Sequence, residues 1–205
     1  MPSPMASLSA FERMTVWVIV VVLAPISLSA QKVPLDKSLS SVTVRVYKAG
    51  LFSALAHDHV IQAPIASGEI SVDNNSVELA FNTAEMKVLD PGVGESERKE
   101  IEDTMKSDKV LDVTRFSSVN FTGTSSTSDS SGHRQLSGTL TLHGTVRRIA
   151  FPVVFRDGKY TGSVSLKQTD FGITPIKIGG GAVRVKDEIV IEFSVASTSS
   201  PGSAR

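Results

Sequence analysis

The chain has 205 residues and a mass of 21.8 kDa, enough for one ordinary domain plus a targeting segment or tail, with a core that needs no staple. Its 21 basic and 21 acidic residues give a formal net charge of zero, and no basic stripe interleaves with aromatics, which argues against nucleic acid or a charged membrane surface as partner. With no cysteine, disulfides, thiol catalysis, thiolate metal sites and lipidation on cysteine are all excluded.

The first element is a leader. An apolar run from Val16 to Ala24 is followed by Pro25 and by small residues up to Ser29-Ala30. The run falls short of the roughly 20 apolar residues that a spanning helix needs, so residues 1–30 read as a signal peptide with Gln31 as the new N-terminus. Arg13 beside Glu12 and the bulky Leu28 are atypical of such a leader, and an uncleaved anchor is the alternative. Either way the domain, expected over residues 31–196, is exported to the periplasm or secreted.

From Ser41 onward, period-two alternation dominates. Val42, Val44 and Val46 alternate with Thr43, Arg45 and Tyr47, and Val77, Leu79 and Phe81 alternate with Glu78 and Ala80. The pattern returns at Leu140 and Leu142, over Ile149 to Phe155, and over Ile189 to Val195. Such alternation marks strands with one apolar face. Short connectors at Asp73 to Ser76, His143-Gly144-Thr145 and Asp157-Gly158 predict antiparallel hairpins. The polar stretch from Thr122 to Gly132 reads as a long hairpin tip.

One segment departs from this. Glu95 to Lys106 follows the Asp90-Pro91-Gly92 breaker and is rich in helix formers, which predicts a short helix with Ile101 and Met105 on its inner face. Residues 197–205 read as a disordered tail. The sum is an all-β chain of about eight antiparallel strands with one short helix inserted after the third. Such strands close into a barrel or stack as a sandwich, and closure is preferred because it removes edges and leaves room for one slim ligand.

The second half carries a resemblance. Val110 to Phe121 pairs two apolar residues with Asp112, Arg115 and Phe116 ahead of a strand ending in Phe121. Leu136 to Gly144, Gln168-Thr169-Asp170-Phe171-Gly172-Ile173 and Asp187 to Phe193 follow in the same order and spacing as the motifs of the YceI-like family of periplasmic lipid- or polyisoprenoid-binding proteins. Across roughly residues 35 to 196 the chain is similar to that family, with Gln168 where the family commonly has Arg. The resemblance implies a lipocalin-like eight-stranded barrel around an elongated cavity for an isoprenoid chain.

The polar candidates are few. His57 and His59 lie two apart, so in a strand their rings share a face and could meet one ligand or ion. A metal site needs three or four ligands, and His143 is the one plausible third histidine. The plainer alternative makes them polar groups at a barrel mouth, touching a headgroup or simply hydrogen-bonded. Asp170-Phe171-Gly172 reads as a strand end with a packed Phe, and Gly179-Gly180-Gly181 as a connector into the last strand. The expected cavity lining is Val44, Val46, Phe121, Leu140, Phe151, Leu166, Phe171 and Phe193, with headgroup contacts from Lys48, His57, His59 and His143. A long apolar small molecule is the expected partner, homodimerisation stays open, and no cofactor, metal or catalytic residue is assigned. Two other readings remain: a histidine-based metal protein or enzyme, and a ligand-free structural barrel used in stress response.

Overall fold

The computed structural model describes residues 31–50, 58–71, 75–126 and 129–198. The expected leader, His57, Asp73, Asn74 and residues 199–205 lie outside them.

Among the described residues the chain forms β1 (Lys32–Ala49), β2 (His59–Gln62), β3 (Ile65–Ser71), β4 (Ser76–Asn82), β5 (Lys87–Val88) and the helix α1 (Glu95–Lys106). It continues with β6 (Ser118–Ser125), β7 (His133–Leu142), β8 (Thr145–Arg156), β9 (Lys159–Lys167), β10 (Lys177–Ile178) and β11 (Val183–Ser197). Antiparallel pairing runs β1–β3–β4–β6–β7–β8–β9–β11, and β11 returns to β1, so eight strands close into a barrel. β2 prolongs β3 along β1 past the Ala63-Pro64 break, β5 adds to β2, and β10 adds to β11. The fold is thus the all-β, eight-stranded barrel with one inserted helix, and α1 has the expected limits. β11 continues through Ser197, and the Thr198 N–H donates to Pro34 O at 3.0 Å, so order extends slightly past residue 196.

Local chemistry explains the turns. His143 (φ 49) and Gly144 (φ 70) form the two-residue β7–β8 link, and Asp157 (φ 53) and Gly158 (φ 77) the β8–β9 link. Two successive left-handed residues match the twist of the flanking strands. The polar tip expected from Thr122 to Gly132 is shorter than its composition suggested. β6 continues to Ser125, and β7 starts at His133, because Thr122 and Thr124 are outward residues of a strand whose inner side carries Phe121 and Gly123. Asp129 holds the turn by accepting the N–H groups of Ser131 (2.8 Å) and His133 (2.9 Å).

The two halves of the barrel differ. Toward the end that holds the β8–β9 turn, the interior is solid. Leu35, Val153 and Val195 are buried there beneath the rings of Phe121, Phe151 and Phe193. Phe151 joins the other two rings, with centroids 5.8 Å from Phe121 and 5.6 Å from Phe193. Glycines make room for this aromatic floor. A Cβ at Gly123 would fall 2.7 Å from Phe121 Cζ, and one at Gly162 2.6 Å from Phe193 Cζ and 2.8 Å from Pro152 O. A strand glycine at such a site marks the close approach of a neighbour. Gly162→Val is therefore expected to lower stability by about 1–3 kcal/mol. The check is a lower urea midpoint at unchanged slope.

Candidate functional site: an apolar cavity under the helix

The other half of the barrel, under α1, encloses a cavity of about 640 Å³. The period-two pattern decides its wall. Val44 and Val46 of β1, Leu140 of β7 and Ile191 of β11 point inward at positions two apart from further inward residues, while their neighbours in sequence face out. The aromatic floor closes it at the far side.

α1 and the segment after it form the roof. Ile101 and Met105, four residues apart, lie on one helical face and line the cavity with Val110 and Leu111. Glu95 and Glu97 in the first turn and Lys106 in the last suit the helix dipole. At the C-terminal end the chain folds back, the Leu111 N–H donating to Met105 O at 3.0 Å.

One side chain ties the roof to the barrel. Glu102 Oε2 accepts the Val88 N–H of β5 at 3.0 Å, and Glu102 Oε1 accepts Lys106 Nζ at 2.7 Å. The Lys106 hydrogen bond foremost, helped by the Val88 N–H and opposed by burial, holds the Glu102 carboxyl below the usual glutamate range. Its folded value is depressed, so its stabilising contribution is complete above the unfolded value and is lost as pH falls through the folded one. Protection of the Val88 amide, its exchange rate relative to the intrinsic rate at each pH, is therefore expected to fall as the pH drops below the ordinary glutamate range. Glu102→Gln is expected to remove that pH dependence, and amide exchange followed by NMR reads both.

The mouth end carries the polar groups. A bulge between Val46 and Lys48 breaks the alternation, so Tyr47 and Lys48 both reach the cavity rim, where Arg184, Glu97 and Glu100 also lie. His59 lines the cavity, and its Nδ1 stands 2.6 Å from Asp90 Oδ2. Asp90 is only 1% exposed, and its Oδ1 accepts the Val60 N–H at 2.7 Å. A carboxylate only accepts, so the His59 hydrogen on this bond sits on Nδ1. Asp90 was legible in the sequence only as part of a Pro-Gly breaker, and nothing local marks it as the partner of a residue 31 positions earlier. Gln168 is 7% exposed, lines the cavity, and donates from Nε2 to Lys186 O at 2.8 Å. Its short turn is pinned by Asp187, which accepts the Thr169 N–H at 2.9 Å and Thr169 Oγ1 at 2.7 Å.

Of the residues nominated from sequence, Val44, Val46, Phe121, Leu140, Phe151 and Phe193 are on the cavity wall, and Lys48 and His59 are at its mouth end. Three stand elsewhere. Leu166 is buried in the core and is not part of the cavity wall. Phe171, 1% exposed, is enclosed beneath that turn, which Gly172 (φ 74) ends. His143 is held at the β7–β8 turn, its ring 4.3 Å from that of Phe116 and its Nδ1 3.2 Å from Phe171 O. His59 and His143 thus each commit Nδ1 to a different partner. Among the described residues no three His, Asp or Glu side chains gather as a metal site.

Comparison with known proteins agrees with the barrel. The YceI-like domain matches residues 34–197. No curated protein matches the chain. The crystal structure of Burkholderia cenocepacia BcnA superposes with a TM-score of 0.55 at 16% identity, over 78% of this chain and 98% of that one. The Campylobacter jejuni YCEI protein aligns at 14% identity over 68% of this chain and 81% of its own, with a TM-score of 0.46. At these identities the BcnA likeness bears on the fold, while the domain match takes in every strand of the closed barrel, and the chain belongs to the YceI-like family.

Proposed function

We propose that this chain is an exported periplasmic carrier that holds one long apolar molecule, a polyisoprenoid, quinone or fatty-acyl chain, in the barrel, and that it acts by binding and not by catalysis. One observation carries the reading: a cavity of about 640 Å³ with aliphatic walls and an aromatic floor, reached from a rim that gathers most of its charged groups. That volume lies within the range of about 300–1,000 Å³ common for small-molecule sites. Burial of apolar surface contributes roughly 25 cal/mol per Å², so a long chain binds without any catalytic group. The export part of the reading rests on the leader at residues 1–30.

The test is ligand-dependent stability. Mature protein stripped of lipid is mixed with geranylgeraniol or palmitate and melted. A ligand at a hundred times its Kd stabilises by about 2.7 kcal/mol. For a domain of this size that corresponds to a Tm rise of about 5–10 °C. A Tm that neither compound moves would overturn the carrier reading.

A further inference from the structure

Resting on the carrier reading above, we infer that the bound molecule enters tail first and carries a hydrogen-bond donor on its head, as an alcohol, a phenol or a primary amide does, with Gln168 and His59 as the groups that select it.

Gln168 is decisive because its amide cannot turn. The atom 2.8 Å from Lys186 O must be the amide nitrogen, since two carbonyl oxygens would not share a hydrogen there. Oε1 therefore points away from that bond. Among the described residues it has no hydrogen-bond partner, and it is not one of the sealed unpartnered atoms. With 7% of the residue exposed and the side chain on the cavity wall, the carbonyl oxygen opens on the cavity. Once an apolar chain fills the cavity and excludes water, that acceptor is left without a donor unless the ligand head supplies an N–H or O–H.

His59 supplies a second acceptor near the same end. With the Nδ1 hydrogen committed to Asp90, Nε2 is the ring atom left to face a ligand, a lone pair whenever the ring carries one hydrogen, and among the described residues no group occupies it. Asp90 acts as a positioning residue, fixing the ring and its tautomer. Register places both groups at the roofed end: His59 pairs with Val46, which pairs with Ile189, and Gln168 bonds the Lys186 carbonyl on that same strand. The opposite end of the cavity is closed by phenylalanine rings and has nothing to offer a polar head. A head with acceptors only, such as an ester, an ether or an oxidised quinone, would set its oxygen against Gln168 Oε1.

The test compares geranylgeraniol with its methyl ether, which share the C20 chain and differ in one donor. Affinities for stripped mature protein are read by displacement of an environment-sensitive fluorophore. The alcohol is expected to bind about tenfold more tightly. Gln168→Met, close in shape, is expected to weaken the alcohol toward the ether and leave the ether unchanged, with a thermal melt confirming the fold. Equal binding of alcohol and ether by the unaltered protein would overturn this inference, and needs no variant. So would a preference that survives both Gln168→Met and His59→Phe. Failure of both compounds to displace the probe would instead overturn the carrier reading itself.

Discussion

Filling the lumen from opposite walls, with Val44→Phe and Leu140→Trp together, is expected to abolish uptake of a prenyl or acyl chain while the barrel stays folded. β1 and β7 stand four strands apart in the ring of eight, so the two new rings meet across the cavity and not along one wall. Enlarging a side chain in a filled core forces strain of about 1–3 kcal/mol, but here open space receives it and new dispersion contacts offset the cost. Denying a ligand about 150 Å² of apolar contact removes about 4 kcal/mol of binding. That is roughly a thousandfold in Kd. The predicted pattern is a melting temperature equal to or above that of the stripped parent, together with loss of the ligand-dependent rise. Retained uptake by the folded double variant would show that the ligand sits elsewhere.

Asp90→Ala has the largest expected effect on stability. The Asp90 carboxylate is shielded from water and satisfies two donors at once, the Val60 N–H and His59 Nδ1. Removing one member of such a buried arrangement leaves the other groups unpaired, at a cost of about 3 kcal/mol. The His59 ring is partly exposed and regains some water, which keeps the figure at the lower end of the range for buried pairs. A fall in Tm of about 6–12 °C follows for a domain of this length. Asp90→Asn keeps an acceptor for Val60 and loses the charge, so it should fall between the two. If alanine melts within a degree or two of the parent, the His59–Asp90 contact is not structural.

The fold was legible because alternation is a local signal that a barrel preserves. Val42, Val44 and Val46, or Ile189, Ile191 and Phe193, each declare one inward face, and paired left-handed turn residues at His143-Gly144 and Asp157-Gly158 declare adjacency. The helix declared itself by the absence of alternation between Glu95 and Lys106. Composition misleads at the β6–β7 tip, because serine and threonine suit a loop and equally serve as outward strand residues.

The site was less legible, for reasons of geometry. Alternation gives the inward face but not the depth, so Leu166 and Phe171 could not be told from Phe151 and Phe193. The spacing of Ile101 and Met105 gives the inner face of α1, but Val110 and Leu111 reach the cavity because the chain folds back after the helix, and no local pattern reports that return. Asp90 and Gln168 act through partners distant in sequence, Val60 and His59 in one case and Lys186 in the other. A buried polar residue is recognised only once its long-range partner is placed.

The carrier reading is tested most directly by native mass spectrometry of mature protein prepared without detergent from a bacterial periplasm, followed by organic extraction. One discrete apolar adduct per chain is expected, released by solvent and missing from the Val44→Phe, Leu140→Trp variant. Bare protein that also fails to take up added prenyl or acyl chains would contradict the carrier reading, and would leave a barrel whose cavity serves no ligand.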